Sequence, residues 1–233
     1  MTSSGTSGPA ADTPSSGVLL VAHRGGNRCE SARRLIGRVD LIELDVHVRR
    51  GRVEVRHEKL LRPTSLLWER WHILPRGTPV PTIDEIIAVV DPDTELLVDL
   101  KCFTARAARR IRGSLPPEQP ITVASRSWWV LRAFRDRPRT RVLRSCRSWW
   151  QLHLARILPG LSEQVGVVAH ESLLRPATID PILARTPHLF CWGVTDPRRG
   201  HELAVAGVSA LIVDDIEMAG LTAPGGGEEA PDD

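Results

Sequence analysis

The amino-acid sequence predicts a (β/α)8 barrel with a small β-hairpin inserted after the second strand. Two observations predict this fold. Short apolar segments alternate with helical patterns along the chain, which is typical of a parallel sheet covered by helices. Eight such units fit between residues 18 and 222, and this count favours a closed barrel over the alternative of an open, doubly wound sheet. The eight predicted barrel strands span residues 18–22, 41–48, 95–101, 121–125, 141–144, 164–170, 188–194 and 209–213.

Helices are predicted between these strands from capping residues and from the spacing of apolar residues. The clearest helix begins at Thr82, where Glu85 completes a capping box and apolar residues follow at helical spacing until Pro92 ends the helix. We predict the other helices over 30–38, 104–113, 178–185 and 197–206, with two more beginning near Ser127 and Trp149.

The second strand alternates apolar and polar residues over its whole length. Residues two apart point to the same face of a strand, so Glu43, Asp45 and His47 share one side. Two neighbouring carboxylates repel each other unless a cation or a shared proton lies between them. The polar face therefore indicates either a functional site or the solvent-exposed side of an edge strand.

The segment after the second strand is predicted to leave the barrel. A turn at Gly51 predicts a hairpin to a strand over 53–57. Residues 60–81 contain Trp68, Trp71 and several prolines, and we expect an irregular loop there.

Composition limits the class of function. With 31 Lys+Arg and 28 Asp+Glu the net charge is +3, and such balanced charge gives no case for a nucleic-acid partner. The four cysteines are too widely spaced for a zinc or disulfide pattern. Neither a secretory signal nor a membrane-spanning apolar run is present in the sequence. We expect a cytoplasmic protein without a stable membrane anchor, with disordered tails at 1–17 and 223–233 around one domain at 18–222.

One short motif occurs twice. Ser127-Trp128-Trp129 and Ser148-Trp149-Trp150 each follow an arginine and open a predicted helix. We expect these tryptophans to pack against the outside of the barrel, since a base-stacking platform would need a flanking basic groove.

Charged residues and histidines lie within or directly after the first three barrel strands and the hairpin. In a (β/α)8 barrel the carboxyl ends of the strands carry the catalytic residues and lie at one rim. We therefore expect these side chains to converge: His23, Arg24, Glu43, Asp45, His57, Asp99 and Lys101.

The chemistry of this set indicates phosphodiester cleavage. Three carboxylates on neighbouring strands suit a hard divalent cation with oxygen ligands, Mg²⁺ or Ca²⁺. Two histidines beside it suit acid and base work near neutral pH. Arginine and lysine side chains suit an anionic phosphoryl group.

In these residues and their order, the chain resembles the glycerophosphodiester phosphodiesterase family. The resemblance runs in order over nearly the whole domain, and its first three segments are the most specific. The similar segments are residues 22–25, 43–46, 51–57, 81–85, 97–101, 192–197 and 207–214.

The resemblance implies a TIM barrel that hydrolyses glycerophosphodiesters, with a divalent cation, to sn-glycerol 3-phosphate and an alcohol. The implied partner is a small-molecule phosphodiester or a lysophospholipid. The implied roles are acid and base for His23 and His57, metal ligands for Glu43, Asp45 and Asp99, phosphate contacts for Arg24 and Lys101, and a glycerol-lining position for Trp192.

Several positions depart from the family pattern. Asp99 stands where the family usually has Glu, so this arm of the metal site is shorter by one methylene. Glu58 replaces an Asp, Glu30-Ser31-Ala32 replaces Glu-Asn-Thr, and the loop at 60–81 replaces a small polar insertion. Two other functions stay open: a lysophospholipase D-like activity with residues 60–81 as a lipid-facing lid, and a catalytically weakened barrel that binds phosphate or lipid.

Overall fold

The computed structural model describes residues 17–61, 66–69, 72–73 and 78–216. The predicted tails lie outside these residues, except for Gly17. In chain order the strands are β1 Leu19–Ala22, β2 Leu41–Arg49, β3 Arg52–Val55, β4 Lys59–Leu61, β5 Leu66–Glu69, β6 His72–Ile73, β7 Glu95–Leu100, β8 Ile121–Ser125, β9 Thr140–Cys146, β10 Val165–His170, β11 Leu189–Trp192 and β12 Ala210–Val213.

Eight of these strands form a closed parallel ring, in the order β1-β12-β11-β10-β9-β8-β7-β2. The ring closes because β1 pairs with β2 on one side and with β12 on the other. The (β/α)8 barrel predicted from the sequence is therefore confirmed. The open, doubly wound sheet is excluded, because in such a sheet β1 and β2 would be edge strands that do not pair with each other.

Helices connect the barrel strands on the outside. The α-helices are α1 Cys29–Leu35, α2 Ile83–Ile87, α3 Ala105–Gly113, α4 Trp149–Ile157, α5 Pro176–Leu183 and α6 Pro197–Val205, and 3₁₀ helices span Trp128–Phe134 and Glu171–Leu173. The predicted capping box of α2 is present, with Thr82 N donating to Glu85 Oε2 at 2.7 Å. Among the described residues, no helix is both long and apolar enough to cross a membrane.

The core has an inner and an outer layer. Leu41 lies inside the barrel with residues from the other strands, among them Leu97, Leu143 and Phe190. Ile42 and Leu44, on the opposite face of β2, pack in the outer layer that the helices cover. The alternation predicted for the second strand is therefore confirmed, and Glu43 and Asp45 share the inward face of Leu41.

The hairpin is also present outside the ring. Strand β3 pairs with β2 in antiparallel register, with His47 opposite Glu54. Gly51 in the turn has φ +80°, a conformation that costs glycine little.

The irregular loop expected over 60–81 is a wrong prediction. Strands β4, β5 and β6 form a small antiparallel sheet, in which Trp68 pairs with both Lys59 and Ile73. Of the prolines that suggested a loop, Pro79 and Pro81 follow the last of these strands, and Pro63 and Pro75 lie outside the described residues. Trp71 lies outside the described residues.

Candidate active site

The predicted polar residues lie at the carboxyl-terminal rim of the first strands of the barrel. His23 and Arg24 follow β1, Glu43 and Asp45 lie within β2, and Asp99 lies within β7. Strands β2 and β7 are adjacent and in parallel register, which places Asp45 directly beside Asp99. Neighbouring parallel strands therefore bring together carboxylates that are distant in sequence.

Three carboxylates form a compact cluster. One oxygen from each of Glu43, Asp45 and Asp99 lies within 4.8 Å of the others. Glu43 and Asp45 are almost fully buried. Burial, together with the charges of Asp45 and Asp99, raises the pKa of Glu43 well above its ordinary value. Burial also raises the pKa of Asp99, although Lys101 opposes this effect.

The cluster fits a divalent cation with oxygen ligands. Two oxygens bound to one Mg²⁺ or Ca²⁺ ion lie at most about 4–5 Å apart, and the three carboxylates meet this requirement. A cation would also neutralise the repulsion that raises the pKa of Glu43.

Lys101 contacts two members of the cluster. Its Nζ lies 2.8 Å from Asp45 Oδ1 and also forms an ion pair with Asp99. Burial opposes ionisation of Lys101, but the two carboxylates overcome it and raise its pKa. Burial likewise opposes ionisation of Asp45, and Lys101 and Asn27 overcome it and lower the pKa of that carboxyl.

Asn27 is a site residue that the sequence analysis missed. Its Nδ2 donates to Asp45 Oδ2 at 2.9 Å, and its Oδ1 accepts from Asp45 N at 2.9 Å. The loop comes this close because Gly26 has no side chain: a Cβ there would lie 1.8 Å from Leu44 Cδ2. The consecutive Gly25 and Gly26 were the available signal, since paired glycines allow a close approach of backbone.

The two histidines reach the rim from different directions. His23 lies at the end of β1, and its Nδ1 is 2.6 Å from Asp214 Oδ1, directly after β12. His57 follows β3, and its Nε2 is 2.7 Å from Arg24 Nη2. The hairpin is held near the carboxylates because Arg56 N donates to Asp45 O at 2.9 Å.

Arg24 joins the first strand to this centre in two ways. Its backbone N donates to Glu43 Oε2, and its side chain contacts His57. Arg24 has φ +55°, in the left-handed region of backbone conformation that residues other than glycine rarely adopt. Strain of this kind is typical of functional sites.

Trp192 lies at the end of β11, on the same rim. It meets His170 edge to face, with the ring centroids 4.5 Å apart and the planes at 81°. Gly193 has φ +83°, and a Cβ there would lie 2.6 Å from His170 Nε2. His170 was not singled out from the sequence, because nothing local distinguishes it from a structural histidine.

Glu30, matched to an acidic position of the family, does not join the site. It lies on the exposed side of α1 and forms an ion pair with Arg34, one helical turn away.

Comparison with known proteins gives matches among solved structures. No family model and no curated protein matches the chain. A phosphodiesterase from Oleispira antarctica, solved in complex with the product sn-glycerol-3-phosphate, has a TM-score of 0.66 and 18% identity, with 87% of this chain and 96% of that chain covered. A glycerophosphodiester phosphodiesterase from Thermotoga maritima has a TM-score of 0.66, 16% identity and the same coverage. The Agrobacterium tumefaciens structure of a putative glycerophosphoryl diester phosphodiesterase has a TM-score of 0.67 and 14% identity, again with 87% and 96% covered. At these identities the similarity establishes a shared barrel fold, which is the fold of the family that the motifs resemble.

Proposed function

We propose that this protein is a metal-dependent phosphodiesterase that hydrolyses glycerophosphodiesters to sn-glycerol 3-phosphate and an alcohol. The observation that carries the proposal is the buried carboxylate cluster, with two histidines, an arginine and a lysine on the same rim. The product bound in the Oleispira antarctica neighbour supports this substrate class.

In this proposal Glu43, Asp45 and Asp99 hold Mg²⁺ or Ca²⁺. When bound, the cation supplies Lewis-acid polarisation of a phosphoryl oxygen. When ionised, the three carboxylates carry three negative charges, and Lys101 contacts two of them with one positive charge, so a divalent cation would balance the cluster. Lys101 and Arg24 then remain as the groups that hold the phosphate.

The histidines divide the proton transfers. A guanidinium group has only hydrogen-bond donors, so the contact with Arg24 makes His57 Nε2 an acceptor and therefore a suitable base. His23, whose Nδ1 contacts Asp214, keeps Nε2 for proton transfer and is assigned the role of acid. The resemblance implies attack by a substrate hydroxyl, which leaves a cyclic phosphate, and then opening of that ring by water.

Trp192 is assigned to the glycerol side of the substrate. Its edge-to-face contact with His170 holds the indole in one orientation at the rim. We also propose that the protein acts in the cytoplasm, since all four cysteines are free thiols and three of them are buried.

The experiment is a titration of Mg²⁺ and of Ca²⁺ against hydrolysis of glycerophosphocholine, with His23→Ala as the inactive control. We expect cation-dependent release of sn-glycerol 3-phosphate that the control lacks. Thermal unfolding in each cation gives a second measurement that does not need turnover, because a ligand that binds only the folded state raises its stability. Turnover no greater than that of His23→Ala in either cation would reject the enzyme and leave a barrel that only binds.

A further inference from the structure

A group of large aromatic side chains is exposed on the catalytic rim. Phe103 is 75% exposed, Trp129 58%, Trp149 48% and Trp150 65%. Exposed single apolar residues are ordinary in proteins, but four large aromatic residues at one end of a barrel are not. We call these four residues the aromatic arc.

The arc occupies consecutive loops of the barrel. Phe103 follows β7, Trp129 opens the 3₁₀ helix after β8, and Trp149 and Trp150 open α4 after β9. Strands β7, β8 and β9 are neighbours in the ring, and all three loops leave its catalytic end. The arc therefore begins two residues after Lys101 and continues along the rim.

Contacts between the loops join the arc into one surface. Trp129 Nε1 donates to Phe103 O at 2.9 Å, which links the loops after β7 and β8. Trp128 Nε1 donates to Ser145 O at 3.1 Å, which links the 3₁₀ helix after β8 to β9. The Arg175 guanidinium lies 5.6 Å from the Trp149 ring centre, which extends the surface to the loop after β10.

The repeated Arg-Ser-Trp-Trp motif accounts for most of this surface. The expectation that its tryptophans pack against the barrel is correct only for Trp128, which is half-buried beneath Arg144. Trp129, Trp149 and Trp150 project into solvent instead.

The charged residues next to the arc are mostly basic. Arg126 and Arg147, which begin the two copies of the motif, and Arg175 are exposed, and none forms an ion pair with another described residue. The segments at this rim, residues 101–104, 126–127, 147–148 and 171–175, contain one acidic residue, Glu171. Such a surface complements anionic groups.

We propose that the aromatic arc docks the catalytic end of the barrel onto a phospholipid bilayer that contains anionic lipid. Tryptophan side chains favour the membrane interface, and neighbouring arginines gain from anionic head groups. Resting on the proposed function, this assigns the substrate to the class of glycerophosphodiesters that carry an acyl chain, which are presented at the membrane surface. The site for the lipid is then the arc and not the segment 60–81.

The test measures binding of the full chain to vesicles in the absence of substrate. We expect binding to phosphatidylcholine vesicles that contain phosphatidylserine, and weaker binding to phosphatidylcholine alone. The double variant Trp149→Ser, Trp150→Ser should weaken binding by about tenfold or more. The double variant Arg147→Gln, Arg175→Gln should remove the preference for phosphatidylserine.

The matched control carries the same kind of change at the other end of the barrel. Ile157 and Val205 are 60% and 75% exposed and lie at the ends of α4 and α6, where helices reach the opposite rim. The double variant Ile157→Ser, Val205→Ser should bind vesicles like the wild type.

Hydrolysis of soluble glycerophosphocholine separates this proposal from the proposed function. The tryptophan variant should keep that activity and lose activity on lysophosphatidylcholine presented in vesicles. A wild type that fails to bind the anionic vesicles, or a tryptophan variant that binds them equally, overturns the docking proposal whatever the activity. A wild-type dimer that the tryptophan variant abolishes, without vesicle binding, would assign the arc to a second copy of the chain and also overturn it.

Discussion

His23 and Asp214 are separated by 191 positions in the chain, yet His23 Nδ1 lies 2.6 Å from Asp214 Oδ1. An ionised carboxylate can only accept, so Nδ1 of His23 carries a proton and Nε2 is the nitrogen left to transfer one. Asp214 thus fixes both the tautomer and the orientation of His23. Nothing in the sequence around Asp214 indicates this role, because the two residues become neighbours only when β1 pairs with β12.

We expect Asp214→Asn to lower kcat by about tenfold or more with little change in KM, because the amide no longer selects the Nδ1–H tautomer. Asp214→Glu should restore part of the loss. Steady-state kinetics on glycerophosphocholine would measure both, with Asp180→Asn, an exposed carboxylate on α5, as the control for net charge. A tenfold rise in KM with kcat unchanged would instead assign Asp214 to substrate binding.

Lys101 is predicted to have two roles that one substitution separates. Lys101→Met removes the positive charge between Asp45 and Asp99 and the proposed phosphate contact. We expect kcat to fall by about 100-fold or more, and stability without a cation to fall as well, since buried carboxylates then face each other unscreened. Thermal unfolding should show that Mg²⁺ or Ca²⁺ restores much of the stability, whereas kinetics should show no recovery of kcat. Recovery of both would mean that Lys101 only balances charge.

The length of the side chain at position 99 provides a test of the proposed metal site. Asp99→Asn should weaken cation binding by about tenfold or more, because a neutral amide replaces an anionic ligand. Asp99→Glu should retain or strengthen binding, since it restores the methylene that the family pattern has. Calorimetric titration of each variant with Mg²⁺ and Ca²⁺ would measure the affinities, and equal affinities in all three proteins would exclude Asp99 as a ligand.

Two glycines should respond oppositely to alanine. In Gly166→Ala the new Cβ would lie 2.1 Å from the carbonyl oxygen of His188, which directly precedes the neighbouring strand β11, so we expect a loss of about 1–3 kcal/mol in the free energy of unfolding. In Gly113→Ala, at the end of α3, the Cβ meets nothing within 4 Å, so we expect no loss or a gain of about 0.5–1 kcal/mol. Urea unfolding of both variants checks the pair.

His47 should make the stability of the fold depend on pH. Burial and the charge of Arg56 lower the pKa of His47 from 6.5 to about 4. Between these two pH values the unfolded chain binds more protons at His47 than the folded chain does. The contribution of neutral His47 to the free energy of unfolding is therefore complete above pH 6.5 and is lost as the pH falls towards 4. Because His47 is partly exposed, we expect only about 1 kcal/mol of this loss by pH 5. Between pH 7 and pH 5 the free energy of unfolding should fall more steeply for the wild type than for His47→Gln. Parallel curves for the two proteins would contradict a lowered pKa at His47.

The parts of the fold that follow from local pattern were predictable. Alternation along β2 placed Glu43 and Asp45 on the inward face, and the order of strands brought Asp99 beside them. Asn27 and Asp214 could not be predicted from the sequence. Asn27 reaches Asp45 only because of the path of its loop, and Asp214 reaches His23 only because the barrel closes. The sequence also could not distinguish the packed Trp128 from the exposed Trp129, since the two are adjacent and their burial depends on how the 3₁₀ helix docks.

The closure of the ring through β1 and β12 has a consequence for how the protein is made. During synthesis β1 leaves the ribosome early, but its partner β12 and the adjacent Asp214 come almost 200 residues later. Until then β1 and β11 both lack a hydrogen-bonded neighbour on one side, which exposes them to pairing with other chains. The nascent chain therefore cannot orient His23 for its proposed catalytic role, and activity should appear only after the last strand has been translated and has docked. A chain that stops before β12 should be inactive and prone to aggregate, even though it contains every residue of the carboxylate cluster.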